Sequence, residues 1–184
     1  QAMIELQLLT GMRPGEVRTM RPVDIDTSGA AIWTYTPQEH KTEHHGRSRR
    51  IYMGPKAQKI VKPFLKRKRS VTTYLFDPRE AMCERYAKRQ THRHQPTAEP
   101  KTDRKVGDHY TQNSYAQTIS DACEKAGISR WTPNQLRHSC ATRLRKEYGV
   151  EAARVILGHA KLETTEIYAE IDEKKSRDIM KRVG

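Results

Sequence analysis

Three short stretches carry residue types suited to work on a phosphate: TGMRPGE near the start, TPNQLRHS in the last third, and LGHAKLETTEIY close to the end. They supply Arg13, Arg137, His159 and Tyr168. Two guanidiniums can grip phosphate oxygens in a planar fork that lysine cannot copy. A tyrosine beside them can serve as a nucleophile instead of as packing. The chain around them carries 35 Lys and Arg against 22 Asp and Glu, a formal net charge of +13. An excess of that size favours a polyanionic partner, most often nucleic acid, with an anionic membrane as the rival. The combination points to covalent chemistry on a nucleic-acid backbone.

Each residue also has a plainer reading. Asn134, Arg137 and His138 fall at i, i+3 and i+4 and so share a helix face. Arg137 adjoins the apolar Leu136, which predicts partial burial and a need for an anion. For an isolated helical arginine that anion is usually an internal Glu or Asp. His159 directly follows Gly158, and Tyr168 comes nine residues later. On one continuous helix the two would lie on opposite faces; the interruption at HAKLETT lifts that constraint. Alone, Tyr168 could equally be a core aromatic and His159 a cap. Lys41, in HKTEHH, is either a solvated loop lysine or a proton donor on an arm. The histidine pairs His44–His45 and His92–His94 lack a Cys or carboxylate pattern to complete a metal site, so no metal is expected. No Walker motif, GxGxxG, HExxH or GxSxG is present, which leaves no pointer to nucleotide hydrolysis, a dinucleotide cofactor or serine-type acyl transfer.

The elements that must position these residues read as mostly helical. Residues 2–10 form a helix ended by Gly11. Pro14 suits the first position of a short second helix, to about Met20. Arg13 then sits in the elbow between them, and the following proline disfavours helical backbone there. Glu16 falls in the first turn, where the helix dipole favours a carboxylate. AAIWTYT (30–36) and SRRIYM (48–53) read as two strands joined by a long hairpin loop. A helix over 55–69 turns Ile60, Val61, Phe64 and Leu65 inward and Lys56, Lys59 and Lys62 outward. Asp77-Pro78-Arg79-Glu80 starts another helix, to about His92. Residues 94–109 hold Val106 as their only large apolar side chain, which predicts a mobile loop.

In the second half, Tyr115, Ile119, Ala122, Cys123 and Ala126 recur at helical spacing over 111–126. Thr132-Pro133 opens a helix with the stripe Leu136, Cys140 and Leu144, and Gly149 ends it. Short helices follow at 151–157, 164–170 and 172–182. The fold class is therefore α+β, mostly α-helical, with a small antiparallel sheet or hairpin near the N-terminal side. The length suits one domain with a real core, or at most two small ones. With 35% hydrophobic and 7% aromatic residues, that core should be modest. Cys83, Cys123 and Cys140 are far apart and read as reduced and packed, as in a cytosolic chain. No run approaches the roughly 18 apolar residues of a spanning helix, and no secretory signal is visible. The chain opens inside an amphipathic helix, as a piece of a longer protein would.

Taken jointly, these elements resemble the tyrosine recombinase (phage integrase) family. TGMRPGEVRTMRPVDID is similar to the segment bearing the family's first catalytic arginine, here Arg13, with Glu16 at its acidic position. EHKTEHHGRSRRIYMGP resembles the hairpin with the catalytic lysine, here Lys41. TPNQLRHSCATRL resembles the box with the second arginine, here Arg137. LGHAKLETTEIYAEI resembles the last box, with His159 and the nucleophile Tyr168. Each box alone is weak, but four in order are specific. The resemblance covers about residues 1–171, with a basic, partly disordered insertion about 78–109.

The resemblance implies a helical catalytic core that cuts DNA through a 3′-phosphotyrosyl link, leaving a free 5′-hydroxyl, with neither metal nor ATP nor any other cofactor. It gives Glu16 a supporting role; His138, on the same helix face as Asn134, is a second supporting candidate, and Lys41, Arg47, Lys56, Lys59 and Arg130 are the candidate DNA contacts. It implies double-stranded DNA as partner, a tetrameric synapse of the full-length protein, a DNA-associated cytoplasmic location, and a separate N-terminal domain that this chain lacks. Residues 172–184 would dock on a neighbouring protomer or on their own core. One position departs from the pattern. The second box is commonly His-x-x-Arg, but here Asn134 stands in the histidine's place. Asparagine can donate to a phosphate oxygen but cannot shuttle a proton near neutral pH. Rival readings are a type IB topoisomerase, a catalytically inactive DNA-binding module kept open by Asn134, and an RNA-binding protein.

Overall fold

The computed structural model of the chain describes residues 1–38, 49–65, 70–88, 106–158 and 176–183. Helix α1 (Ala2–Thr10) ends where Gly11 turns left-handed at φ 66°, its amide returning to Gln7 O at 2.9 Å. Arg13 is extended (φ −71°, ψ 154°), as its proline neighbour requires, and α2 (Pro14–Arg18) starts at that proline. A 3₁₀ turn at Pro22–Asp24 leads into β1 (Ile25–Asp26). Strands β2 (Trp33–Tyr35) and β3 (Ile51–Met53) follow, and the antiparallel sheet has the order β1-β2-β3. Ile25 faces Tyr35, and Tyr35 faces Ile51. The sequence predicted two strands. The third is two residues long, too short for a period-2 pattern to register.

The remaining described elements are α3 (Pro55–Leu65), α4 (Pro78–Lys88), α5 (Gln112–Ala126), α6 (Pro133–Leu157) and a helix over 176–183, α7. Asp77 caps α4 as expected, accepting from the Arg79 amide at 2.8 Å. Thr111 caps α5, accepting from the Ser114 amide at 3.1 Å. Gly149 breaks the helical geometry inside α6 (φ 85°, ψ 172°), so two helices are joined there at a kink, close to the predicted stop and restart. The expected outer parts of α3 and α4, the helix at 164–170, and most of the loop predicted at 94–109 lie outside the described residues.

Two clusters of buried side chains form the core. One joins α1, α2, the sheet, α3 and α5 through Leu6, Val17, Tyr35, Met53, Val61 and Ile119. The other joins α6 to α7 through Cys140, Leu144, Leu157 and Met180. Ile179, Met180 and Val183, left open between a neighbour and their own core, are here buried against α6 of the same chain. Helix α1 packs against both α6 and α3 and so lies between the clusters.

Two expectations need correction. Cys83 is exposed on α4, and only Cys123 and Cys140 are packed; all three are free thiols. Ala122 and Ala126 match the period of α5 but face solvent, because a methyl group adds too little apolar area to decide a face.

Candidate active site

The site grows from the elbow between α1 and α2. The Arg13 amide donates to Glu16 Oε2 at 2.6 Å, and the Arg13 guanidinium donates to Oε1 at 2.9 Å. The carboxylate thus satisfies an otherwise orphaned amide at the start of α2 and holds the arginine beside it. The Arg13 side chain is 23% exposed, whereas Glu16 is 3% exposed. Tyr35, buried in β2, donates its hydroxyl to Glu16 O at 2.8 Å and fixes α2 on the sheet.

Arg137 reaches the same place from α6. Its two terminal nitrogens donate to Gly11 O at 2.5 Å and Leu157 O at 2.6 Å. These carbonyls end α1 and α6, where backbone acceptors lack intrahelical partners. Nearly two helix turns further, Arg143 donates to Leu8 O at 2.8 Å. Helix α6 therefore supplies two donors to the end of α1, which sets Arg137 against the Arg13 elbow. Burial of Arg137 follows the sequence reading. The carboxylate partner offered as its plain reading is not there: among the described residues it bonds carbonyls. Gln7 adds a second tie, donating to Met12 O at 3.2 Å and accepting from the Tyr115 hydroxyl at 2.7 Å.

A third guanidinium escaped the sequence reading. Arg49, just before β3, is 6% exposed and donates from Nε to Glu16 Oε1 at 3.3 Å. Its Nη1 donates to Ile156 O at 3.1 Å. A Cβ on Gly158, which is left-handed at φ 64°, would lie 2.5 Å from that nitrogen, so any other residue there would have to displace Arg49. A signal for Arg49 was present. It shares parity with Ile51 and Met53 along the strand, and a strand sends alternate residues to one face.

The charges do not balance. Arg13, Arg49 and Arg137 surround one carboxylate. Burial would raise the Glu16 carboxyl, but Arg49 and Arg13 hold it below the ordinary carboxylate range. Burial, reinforced by Arg49 and Arg13, pushes the Arg137 guanidinium down to about 10. It stays protonated at neutral pH, so the cluster carries excess positive charge in a poorly solvated place. Such a place favours an anion with several oxygens.

Asn134 and His138 are exposed on α6 and hydrogen-bond each other, Nδ2 to Nε2 at 3.2 Å. Their side chains meet, while Arg137 between them turns inward. Lys56 and Lys59 are exposed on α3, and Arg130 is exposed in the α5–α6 connection, 3.9 Å from Glu124. Lys41, Arg47, His159 and Tyr168 lie outside the described residues. So do His44, His45, His92 and His94. Among the described residues, no helix is long and apolar enough to cross a membrane.

Comparison with known proteins bears on the family and the fold. A family model described as the phage integrase family matches residues 1–175. Tyrosine recombinase XerC of Roseiflexus sp. (strain RS-1) is 26% identical over 178 residues, covering 96% of this chain and 49% of that protein. Tyrosine recombinase XerA of Pyrococcus furiosus is 41% identical over 61 residues, covering 33% of this chain and 21% of that protein. Among solved structures, the Tn1549 transposon integrase in complex with circular intermediate DNA superposes with a TM-score of 0.59 at 16% identity, over 95% of this chain and 58% of that one. The crystal structure of XerA recombinase gives 0.52 at 22% identity, over 98% and 61%. These likenesses give the fold. The chain spans about half the length of the Roseiflexus relative.

Proposed function

The chain belongs to the phage integrase family, and on that premise we propose that it is the catalytic part of a site-specific DNA recombinase working by tyrosine transesterification. The observation that carries this reading is the cluster of three guanidiniums around one buried carboxylate, with Arg137 anchored by carbonyls and, among the described residues, without an ion pair of its own.

In the proposed reaction the Tyr168 hydroxyl attacks a DNA phosphorus. The P–O5′ bond breaks, a 3′-phosphotyrosyl bond forms, and the 5′ oxygen leaves as a hydroxyl. A phenol with a pKa of about 10 is a poor nucleophile at neutral pH unless its proton departs in the transition state. Arg13 and Arg137 offset charge growing on the phosphorane oxygens, a contribution usually larger than any other in such sites. Lys41 protonates the leaving oxygen, and His159 hydrogen-bonds the phosphate or helps take the tyrosine proton. Asn134 positions a phosphate oxygen, and Glu16 positions the arginines. Attack by a 5′-hydroxyl from another strand reverses the step, so bond energy is kept and ATP is not needed.

The same reading gives double-stranded DNA as partner, held by phosphate contacts from Lys41, Arg47, Lys56, Lys59 and Arg130. The full-length protein would assemble as a tetrameric synapse, with DNA-associated localisation. Asn134 favours a second reading, a catalytically silent DNA-binding module. The test is incubation with nicked duplexes that let the cleaved 5′ fragment escape, followed by a denaturing gel. A retarded band formed by the wild type and lost in Tyr168→Phe supports the reading. A protein that binds DNA but forms no such band on any substrate supports the silent module.

A further inference from the structure

The buried Arg49 is not among the residues that the family resemblance assigns to chemistry. It meets three of the segments that matter. Its Nε bonds Glu16, the carboxylate that also holds Arg13. Its Nη1 bonds Ile156 O at the end of α6, and its guanidinium occupies the space a Cβ on Gly158 would need, one residue before His159. Arg49 itself directly follows the segment that carries Lys41.

Among the described residues the buried Nη2 of Arg49 has no hydrogen-bond partner, as is also true of Arg18 Nε and Arg143 Nε. Burial also pushes the guanidinium down from its ordinary value, with Glu16 opposing that and Arg13 adding to it. Buried donors left open in this way call for a reason beyond packing. The neighbouring α6 contributes Arg137, a further like charge, so Arg49 adds repulsion to a cluster already short of acid. Its contacts are those of a bracket on the Glu16 carboxylate.

We infer that Arg49 is a positioning residue for DNA cleavage, holding Glu16, and through it Arg13, against the end of α6. The inference rests on the recombinase reading. Four groups face Glu16: Arg13 from the α1–α2 elbow, Arg49 from the segment just before β3, Arg137 from α6 and Tyr35 from β2. Removing Arg49 takes away the largest opposing charge and lets burial raise the Glu16 carboxyl.

The experiment compares wild type, Arg49→Met, Arg49→Lys, Glu16→Gln and the Arg49→Met/Glu16→Gln double variant. Adduct formation on nicked duplexes is timed between pH about 5 and about 9, DNA affinity is titrated separately, and the folded fraction is recorded. Arg49→Met should bind DNA within about 3-fold of wild type but cleave at least about 30-fold more slowly. Its loss of rate on the acid side should begin at higher pH. Adding Glu16→Gln should remove that acid limb and cost less than about 3-fold more, because the two residues act as one unit. Arg49→Lys, which keeps the charge but not both bonds, should fall between.

Cleavage by Arg49→Met within about 3-fold of wild type, or a loss that only tracks the unfolded fraction with an unchanged pH profile, overturns the inference. If the wild type forms no adduct, the recombinase reading fails separately. Unfolding of the same proteins without DNA then decides whether the bracket exists. The stability gap between wild type and Arg49→Met should shrink as pH falls below the ordinary Glu16 value of 4.5, and lose that pH dependence in the Glu16→Gln background. A gap independent of pH overturns the inference on its own.

Discussion

Arg13 and Glu16 hold each other twice, amide to Oε2 at 2.6 Å and guanidinium to Oε1 at 2.9 Å. One carboxylate both starts α2 and orients an arginine. The order of residues makes this possible. Pro14 keeps Arg13 extended, which points its amide at the side chain three residues on. A change at Glu16 therefore disturbs a helix start and the Arg13 guanidinium together.

The Glu16 carboxyl lies below its ordinary value of 4.5 in the folded chain. A depressed carboxyl contributes stability that is present above the unfolded value and is lost as pH falls through the folded one. Glu16→Gln should accordingly narrow the gap between neutral and acid stability, with the change confined to pH below about 4.5. Chemical unfolding of wild type and Glu16→Gln at a series of pH values measures it.

Arg137→Lys keeps a positive charge but cannot donate to Gly11 O and Leu157 O while also facing a phosphate. Adduct formation should drop by about 10²-fold, the scale seen when one donor to a developing oxyanion is removed. DNA affinity should change far less. Single-turnover cleavage and a binding titration separate the two.

Gly11→Ala should be costly. The position is left-handed at φ 66°, and a Cβ would lie 2.4 Å from Leu157 Cδ2 and 3.3 Å from Cys140 Sγ. Gly127 has nearly the same φ, 64°, with nothing within 4 Å. Gly127→Ala should lose about 1 kcal/mol from backbone strain alone, and Gly11→Ala should lose at least about 1 kcal/mol more from overpacking. Denaturant unfolding of both variants checks the difference.

Asn134→His restores a group that can move a proton near neutral pH at a position now paired with His138. The variant should form adduct faster, by up to about 10-fold, with a steeper pH dependence than the wild type near the usual histidine value of about 6.5. An unchanged rate would mean that Asn134 already does all that this position requires. Cleavage rates between pH about 5.5 and about 8 read the outcome.

What the sequence revealed was local chemistry. Gly11, Pro14 and the extended Arg13 follow from backbone rules acting over a few residues, and the stripe Leu136, Cys140 and Leu144 follows from helical period. Burial of Arg137 followed from its neighbour Leu136. Its partners did not, because which helix ends meet it depends on how α1 docks on α6. Arg49 was legible only by parity with Ile51 and Met53, and its charge argued against an inward face. Strand β1 and the exposed Cys83 have no periodic signal. Lys41, His159 and Tyr168 lie outside the described residues, so their roles rest on the order of the boxes.

The most direct test identifies the atom that holds the DNA. The covalent adduct formed on a nicked duplex is digested with protease and nuclease, and the modified peptide is sequenced by mass spectrometry. The account predicts a nucleotide joined through its 3′-phosphate to Tyr168, with a free 5′-hydroxyl on the released strand. A nucleotide on any other residue, a 5′-phosphate linkage, or an adduct that persists in Tyr168→Phe would contradict it.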